Sequence, residues 1–286
     1  MRILITGGTG FVGKLLCQRL HEKGHELLLV SRAPHRAQTV VPPSAEIRPD
    51  ILEFQTSQPE AIINLAGDPI AEGRWSEEKK QRLLDSRLNT TNAIVEFCKG
   101  LNKPPHTLIS ASAMGYYGAR GEEEVTEDEP PGTEFIAALC HKWEEAAQQA
   151  EPAGVRVARV RIGIVLGPGG GSLARMLPAF KLGLGGTLGS GRQYMPWIHR
   201  EDLVRLILFL LDNQNLSGAF NASAPRPVTN SEFTRTLAGK LGRPAIIPVP
   251  EIALKLMFGE MSRVLLTGAN MKPQRLMDNG FEFKYP

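Results

Sequence analysis

Three glycines near the start of the chain have a spacing that can hold a phosphate. Gly7, Gly10 and Gly13 follow an apolar stretch and precede an amphipathic segment over residues 14–23. This order predicts a strand, a tight turn and a helix. Gly7 permits the turn, Gly10 lets a phosphate approach the backbone, and Gly13 lets the helix pack on the strand. The free N–H groups of the helix N-terminus favour an anion. Because a second strand pattern follows over residues 26–30, we predict a dinucleotide site rather than a merely structural turn.

The end of the second predicted strand indicates which dinucleotide binds. An NAD site usually carries Asp or Glu about 20 residues beyond the glycines, where the carboxylate accepts hydrogen bonds from the ribose 2′-hydroxyl. This chain has Ser31 and Arg32 there, followed by His35 and Arg36. A guanidinium makes bidentate hydrogen bonds to phosphate oxygens, so we predict NADP, which carries a 2′-phosphate. The alternative is a solvated basic loop, because exposed Arg is common.

The composition excludes several other classes of protein. The 286 residues are 42% hydrophobic and 22% charged, which is ordinary for a globular protein. The formal net charge of +3 is too small to indicate nucleic acid. No apolar run approaches the roughly 18 residues of a membrane span. Cys17, Cys98 and Cys140 lack metal-site spacing, so we expect buried free thiols and no metal. The first strand begins at residue 2, so we expect a cytoplasmic protein without a targeting segment.

Alternating strand and helix patterns predict the fold class. Strand patterns over residues 61–66, 107–111 and 155–164 alternate with helical patterns over residues 77–97 and 133–149. This alternation is typical of an α/β fold, here a Rossmann-like, doubly wound parallel sheet with helices on both faces. The segment between the second strand and residue 61 is short for a complete crossover. We therefore expect an abbreviated third strand and helix.

The pattern of predicted strands and helices changes after about Leu166, where a glycine-rich stretch begins. The elements that follow no longer alternate regularly between strand and helix. They are helices over residues 172–180, 200–212 and 230–241, a strand near 219–221, and two helices after Pro248. We predict two domains on this basis. Residues 1–165 form an NADP-binding Rossmann domain, and residues 166–286 form a smaller C-terminal substrate lobe interleaved with the sheet.

Several motifs occur together along nearly the whole chain. They are Thr6-Gly7-Gly8-Thr9-Gly10-Phe11-Val12-Gly13, Asn64-Leu65-Ala66-Gly67, Ser110-Ala111-Ser112 leading to Tyr117-Gly118, and Trp197-Ile198-His199-Arg200-Glu201-Asp202. This set resembles the extended short-chain dehydrogenase/reductase family, which includes nucleotide-sugar epimerases and dehydratases. More narrowly, the chain is similar to the YfcH-type epimerase branch of that family, through Arg74-Trp75, Ser86-Arg87, Met114-Gly115-Tyr116-Tyr117-Gly118, Trp143-Glu144, Gly183-Leu184-Gly185-Gly186 and Ala222-Ser223-Ala224-Pro225.

The resemblance fails at the proton-transfer residues. In the wider family a Ser and a Tyr-x-x-x-Lys pair act beside the nicotinamide, and Ser112 matches the serine. Ile136 and Cys140 stand where the Tyr and Lys are expected. Two interpretations stay open. Either Tyr116 or Tyr117 replaces the missing tyrosine, or the fold binds NADP without turning it over, as a regulator linked to cell division or redox state.

The predicted site residues lie at the carboxyl ends of the strands, where open α/β sheets bind ligands. The catalytic candidates are Ser112, Tyr116 and Tyr117. The cofactor-binding candidates are Gly7, Thr9, Gly10, Phe11, Val12, Gly13, Ser31, Arg32, Asn64, Leu65, Ala66, Gly67, Arg87, Ser110, Arg161 and Gly163. The substrate-binding candidates are Trp75, Gln193, Met195, Trp197 and His199.

The sequence thus predicts an NADP-dependent oxidoreductase or epimerase-like enzyme that acts on a small hydroxyl or carbonyl compound, with nucleotide sugars among the candidates. Its partner is a small-molecule substrate, with no nucleic acid and no membrane. The resemblance also implies a homodimer through the helices predicted over residues 77–97 and 133–149. It further implies an additional helix after Pro286, so the chain is expected to be truncated there.

Overall fold

The computed structural model describes residues 1–286 and contains thirteen strands, seven of which form one parallel sheet. The strands are β1 (Arg2–Thr6), β2 (Glu26–Val30), β3 (Glu46–Arg48), β4 (Ala61–Asn64), β5 (Thr107–Ala113), β6 (Glu124–Val125), β7 (Arg156–Ile162), β8 (Ile164–Leu166), β9 (Tyr194–Met195), β10 (Trp197–His199), β11 (Gly218–Ala222), β12 (Val228–Thr229) and β13 (Asn270–Met271).

Ten α-helices complete the fold. They are α1 (Phe11–Glu22), α2 (Pro34–Gln38), α3 (Glu77–Gly100), α4 (Phe135–Gln148), α5 (Gly171–Lys181), α6 (Arg200–Asp212), α7 (Asn230–Leu241), α8 (Glu251–Phe258), α9 (Ser262–Leu266) and α10 (Gln274–Asp278). None of them combines the length and the apolar content that crossing a bilayer requires.

The order of the strands creates a place for a ligand. The main sheet runs β11-β7-β5-β4-β1-β2-β3, and every pair in it is parallel. The chain therefore starts in the middle of the sheet, with β2 on one side of β1 and β4 on the other. Crevices in open α/β sheets form where the strand order reverses, outside the carboxyl ends. Here Thr6 lies level with Val30 on one side and with Asn64 on the other.

Alternate residues of the central strands supply two separate cores. Ile3 and Ile5 belong to a buried cluster with α1 and α6, whereas Leu4 belongs to a cluster with α3 on the opposite face. Because both faces of the sheet are covered, its strands are apolar almost throughout. The doubly wound, Rossmann-like α/β fold predicted from the sequence is confirmed.

Two of the predicted elements are wrong in detail. The single strand predicted over residues 155–164 divides at Gly163, where a Cβ would overlap the Pro196 carbonyl oxygen at 2.5 Å. The N–H of Ile164 donates to that carbonyl, so β8 leaves the main sheet and pairs with β10. After Pro248 there are three α-helices, not two. The abbreviated third unit is present, as β3 and one turn of 3₁₀ helix, Ile51–Phe54.

Candidate functional site

The glycine turn after β1 has the conformations that its spacing predicts. Gly7 has φ +72, and a Cβ there would come 2.6 Å from the carbonyl carbon of Leu65. A Cβ on Gly13 would overlap the carbonyl oxygen of Gly7, so only glycine permits this close packing of helix and turn. Gly10 is the N-cap of α1 and supplies no side chain to its first N–H groups. These donors are therefore left for an anion at the N-terminus of α1.

Arg32 lies just after β2 and is exposed without a salt bridge or a side-chain hydrogen bond. Two hydrogen bonds fix its neighbour Ser31. The Ser31 N–H donates to the carbonyl of Arg48 at 2.9 Å, and the Ser31 hydroxyl accepts from the N–H of Ala33 at 3.3 Å. No protein carboxylate neutralises the guanidinium. The end of β2 thus presents a cation and lacks the acidic residue that an NAD site uses.

Asn64 and Ser110, predicted to bind cofactor, instead tie strand ends together. Thr6 donates to the Asn64 side-chain oxygen at 2.7 Å, and the Asn64 amide donates to the hydroxyls of Thr91 at 3.0 Å and Ser110 at 3.3 Å. All four residues are buried. Their polar atoms are satisfied within the protein and shape the crevice between β1 and β4, and the cofactor contacts of Asn64 and Ser110 stay predictions.

Arg87 lies beside Gly67, at the edge of the crevice. A Cβ on Gly67 would come 3.1 Å from the guanidinium carbon, so the absence of a side chain makes room for Arg87. Its two terminal nitrogens donate to the carbonyls of Leu83 and Asp68, both at 3.0 Å. Burial lowers the pKa of Arg87. Its Nε is one of three buried side-chain nitrogens without a hydrogen-bond partner.

Arg161, predicted to bind cofactor, forms a buried ion pair below the crevice. Its Nε donates to Glu144 Oε1 at 2.9 Å and a terminal nitrogen donates to Oε2 at 3.1 Å, with both side chains 3% exposed or less. Burial opposes the charge of Arg161, but the hydrogen bonds and charge of Glu144 raise its pKa. The Ser112 hydroxyl also donates to Glu144, at 2.7 Å. Arg161 and Ser112 thus both pair with Glu144 in the core, and their cofactor-binding and catalytic roles stay predictions.

Tyr117, a catalytic candidate, is fully buried. Its hydroxyl donates to Asn221 Oδ1 at 2.6 Å and accepts from Arg161 at 2.8 Å. Burial raises the pKa of Tyr117 to about 12, so the phenol stays protonated near neutral pH. Tyr116 packs its ring 3.5 Å from the guanidinium carbon of Arg161, and burial raises its pKa as well. The Tyr117 hydroxyl is thus engaged in the core and the Tyr116 ring packs on Arg161, and catalytic roles for both stay predictions.

The positions expected for the missing Tyr and Lys do face the segment after β5. A Cβ on Gly115 would come 2.7 Å from Ile136 and 3.7 Å from the sulfur of Cys140. α4 is therefore oriented as a proton-transfer helix would be, but its facing side chains cannot exchange a proton near neutral pH. Burial raises the pKa of Cys140 to about 12, which makes this thiol inert.

Three of the predicted substrate residues have their polar atoms engaged within the protein. The Gln193 amide donates to the carbonyls of Leu188 and Leu265, both at 3.0 Å. Met195 accepts from the Asn230 amide at 3.2 Å. His199 caps α6, because its Nδ1 accepts from the N–H of Glu201 at 3.2 Å, and its ring lies 3.9 Å from that of Tyr285. These polar atoms are engaged within the protein, and substrate contacts by Gln193, Met195 and His199 stay predictions. Trp197 belongs to β10, paired with β8.

Trp75, one of the predicted substrate residues, lines a small cavity of about 40 Å³. Its ring meets Phe135 edge to face at 5.5 Å, and Ile136 forms part of the same wall. The remaining lining residues are Gly118, Glu134, Glu260, Arg263, Val264 and Thr267. The cavity adjoins the position of the missing tyrosine and has one apolar side and one charged side. Phe135 and Arg263 were not predicted from the sequence, because nothing in their local sequence distinguishes them from other helical residues.

Comparison with known proteins agrees with this architecture. A profile of the NAD dependent epimerase/dehydratase family matches residues 3–223, and a profile of a domain of unknown function, DUF1731, matches residues 249–286. The chain belongs to the NAD dependent epimerase/dehydratase family. It is 40% identical over 296 residues to an Arabidopsis thaliana chloroplastic homologue of epimerase family protein SDR39U1, covering 100% of this chain and 84% of the relative.

Two further relatives extend the similarity over almost their whole length. Mouse epimerase family protein SDR39U1 is 38% identical over 290 residues, covering 100% of this chain and 96% of the mouse protein. The crystal structure of human epimerase family protein SDR39U1 (isoform 2) with NADPH superimposes with a TM-score of 0.90 at 36% identity, covering 100% of this chain and 96% of the human one.

Within the epimerase/dehydratase family, this chain combines a complete glycine turn with an incomplete proton-transfer set. The turn depends on Gly7, Gly10 and Gly13, all present with the required packing. The helix facing Ser112 carries Ile136 and Cys140. The glycine turn can therefore hold a cofactor in a protein that lacks the usual proton-transfer residues.

Proposed function

We propose that the protein binds NADP(H) and transfers hydride between this cofactor and a small carbonyl or hydroxyl compound, with nucleotide sugars among the candidate substrates. The observation that carries the proposal is the unpaired Arg32 guanidinium at the end of β2, next to an uncapped α1. The human relative solved with NADPH supports the same cofactor here.

The residues present fit this cofactor. Gly7, Thr9, Gly10, Phe11, Val12 and Gly13 would surround the pyrophosphate through the backbone, and Ser31 and Arg32 would hold the 2′-phosphate. Leu65, Ala66 and Gly67 would line the crevice beside β4, and the free Nε of Arg87 offers a further charged donor there. When bound, the nicotinamide supplies or accepts hydride, which is chemistry that no side chain provides.

Two of the candidates for proton transfer, Ser112 and Tyr117, are engaged in the core. The hydroxyls of Ser112 and Tyr117 both donate to partners in the core. Trp75, Phe135 and Ile136 give the adjoining cavity an apolar wall. We therefore expect hydride acceptors whose products take their proton from water.

The test combines binding with turnover. Purified protein is titrated with NADPH by calorimetry and then incubated with NADPH and a panel of carbonyl compounds, while the nicotinamide absorbance is followed. We expect NADPH binding, and oxidation with at least one acceptor. Arg32→Glu should weaken NADPH binding and slow NADPH oxidation at a fixed NADPH concentration, and Arg235→Glu, at an exposed position on α7, should change neither. Turnover that fails for every acceptor would refute the hydride-transfer part.

A second candidate function is a non-catalytic NADP-binding regulator, linked to cell division or redox state. The observation that favours it is the replacement of the expected Tyr and Lys by Ile136 and Cys140, which remove the usual proton donor without removing the cofactor site. Pull-downs with and without NADPH distinguish the two functions. A set of bound proteins that is indifferent to NADPH would contradict the regulator.

The homodimer and the cytoplasmic location stay predictions. α3 and α4, the helices predicted to pair between subunits, already pack on each other within the chain, where Trp143 donates to the hydroxyl of Thr91 at 3.0 Å. A dimer would therefore use their outward faces. Sedimentation equilibrium at several protein concentrations tests it, and a mass equal to that of one chain throughout would refute it.

A further inference from the structure

Arg200, the first residue of α6, carries a charge that no protein anion neutralises. Its Nε is buried without a hydrogen-bond partner, and the side chain makes no ion pair. The two acidic residues that follow it are engaged elsewhere. Glu201 pairs with Lys284 at 3.1 Å, and Asp202 pairs with Arg205 at 2.9 Å. A buried charged donor without a partner costs free energy, so an external anion is expected nearby.

The side chain of Arg200 lies beside the glycine turn of β1 and α1. Its guanidinium carbon is 4.6 Å from the centre of the Phe11 ring, and Phe11 is the first residue of α1. A Cβ on Gly167 would come 3.1 Å from the Arg200 Cβ and 3.6 Å from its Nε. Gly170 and Gly171 pack just as closely on the Phe11 ring. These glycines leave room for the Arg200 side chain of α6 to reach the N-terminus of α1.

Two positive features therefore meet at this point. The N-terminus of α1 has no side-chain cap and no acidic residue in its first turn, and the guanidinium of Arg200 adds a full charge. They repel one another unless an anion lies between them. A pyrophosphate is an anion of suitable size, and its oxygens accept hydrogen bonds from backbone N–H groups and from a guanidinium at once.

We propose that Arg200 is a ligand of the cofactor pyrophosphate, supplied by α6 rather than by the glycine turn. This assignment rests on the proposed NADP(H) binding. It also links the cofactor to the end of the chain, because Asp202 of the same helix accepts hydrogen bonds from the N–H groups of Lys284 at 2.9 Å and Tyr285 at 2.8 Å.

The assignment predicts a ligand pattern that separates Arg200 from Arg32. Calorimetry is performed with NADPH, NADH and adenosine 2′-monophosphate, which has the 2′-phosphate but no pyrophosphate. Arg200→Met should weaken NADPH and NADH by the same factor, about 10- to 100-fold for the loss of a charged hydrogen bond, and leave adenosine 2′-monophosphate unchanged. Arg32→Glu should weaken NADPH and adenosine 2′-monophosphate and spare NADH. Arg235→Met serves as the control for the loss of one positive charge.

A second variant and a second measurement keep the test decisive. Arg200→Lys keeps the charge but loses the bidentate geometry, so it should weaken both dinucleotides by less than the Met variant does. If Arg200→Met does not fold, the Lys variant carries the comparison through the shift in melting temperature that each ligand causes. Wild-type NADPH affinity in Arg200→Met would overturn the Arg200 assignment alone. Absence of dinucleotide binding in the wild-type protein would overturn the proposed function as well.

Discussion

Tyr117→Phe tests whether the buried phenol is structural or catalytic. The substitution keeps the ring and removes only the hydroxyl, which bridges Asn221 at 2.6 Å and Arg161 at 2.8 Å. Arg161 keeps its hydrogen bonds to Glu144 and to the carbonyl of Glu127, but the Asn221 oxygen loses its donor. Leaving one buried acceptor unsatisfied and losing a bond to a charged group should lower the free energy of unfolding by roughly 2–4 kcal/mol.

The assay is urea denaturation followed by circular dichroism, with NADPH affinity measured in parallel. We expect a lower midpoint at an unchanged m-value and unchanged NADPH affinity. Tyr194→Phe is the matched control, because Tyr194 is only half-buried, in the short strand β9. Wild-type stability together with the loss of NADPH-dependent turnover would refute this reasoning, since it would make Tyr117 the proton donor.

Three further predictions concern a buried ion pair, a buried thiol and the histidine that caps α6. Glu144→Gln breaks the pair with Arg161 and should cost about 3–5 kcal/mol in urea denaturation, whereas an unchanged midpoint would contradict the ion pair. Cys140 is fully buried, so a disulfide reagent should modify it only when the protein unfolds, and rapid labelling of the native protein would be inconsistent with its burial. Burial lowers the pKa of His199 below its usual value, so the fold favours the neutral ring that caps α6. Its contribution to stability should be present above the usual histidine pKa and be lost as the pH falls through the lowered one. Urea midpoints from pH 8 to pH 5 test this, and His199→Asn should flatten that part of the profile.

Local sequence patterns predicted the elements whose ends are marked by capping residues. α6 and α7 begin and end at the residues predicted, because a cap precedes an apolar pattern of helical period in each: His199 caps α6, and Thr229 and Glu232 form a capping box at α7. The glycine turn was predictable for the same reason, since its function depends on backbone geometry that only glycine permits.

The division of the predicted strand at Gly163 was not predictable from local patterns. It depends on the close approach of the Pro196 carbonyl, which comes from a distant part of the chain. The apolar run continues through the break, so the periodicity of the sequence gives no sign of it.

The side-chain pairings in the candidate site could not be predicted from local sequence patterns either. Ser112, Tyr117 and Arg161 occur at the strand ends where ligands bind, and their types suit catalysis. The structure turns them towards Glu144 and Asn221, in pairings between residues far apart in the sequence. A sequence places a residue at the edge of a sheet but does not tell whether a buried partner already occupies its polar atoms. Arg200 was not predicted as a site residue, because the sequence does not show that its buried Nε lacks a hydrogen-bond partner.

The central claim is that the end of β2 and the N-terminus of α1 together hold a dinucleotide with a 2′-phosphate. The most direct measurement is calorimetric titration of the wild-type protein and of Arg32→Glu with NADPH and with NADH. The account predicts that the wild type prefers NADPH by about 10-fold or more, and that the substitution abolishes the preference without abolishing NADH binding. Equal affinity of the wild type for the two cofactors, or no binding of either, would contradict it.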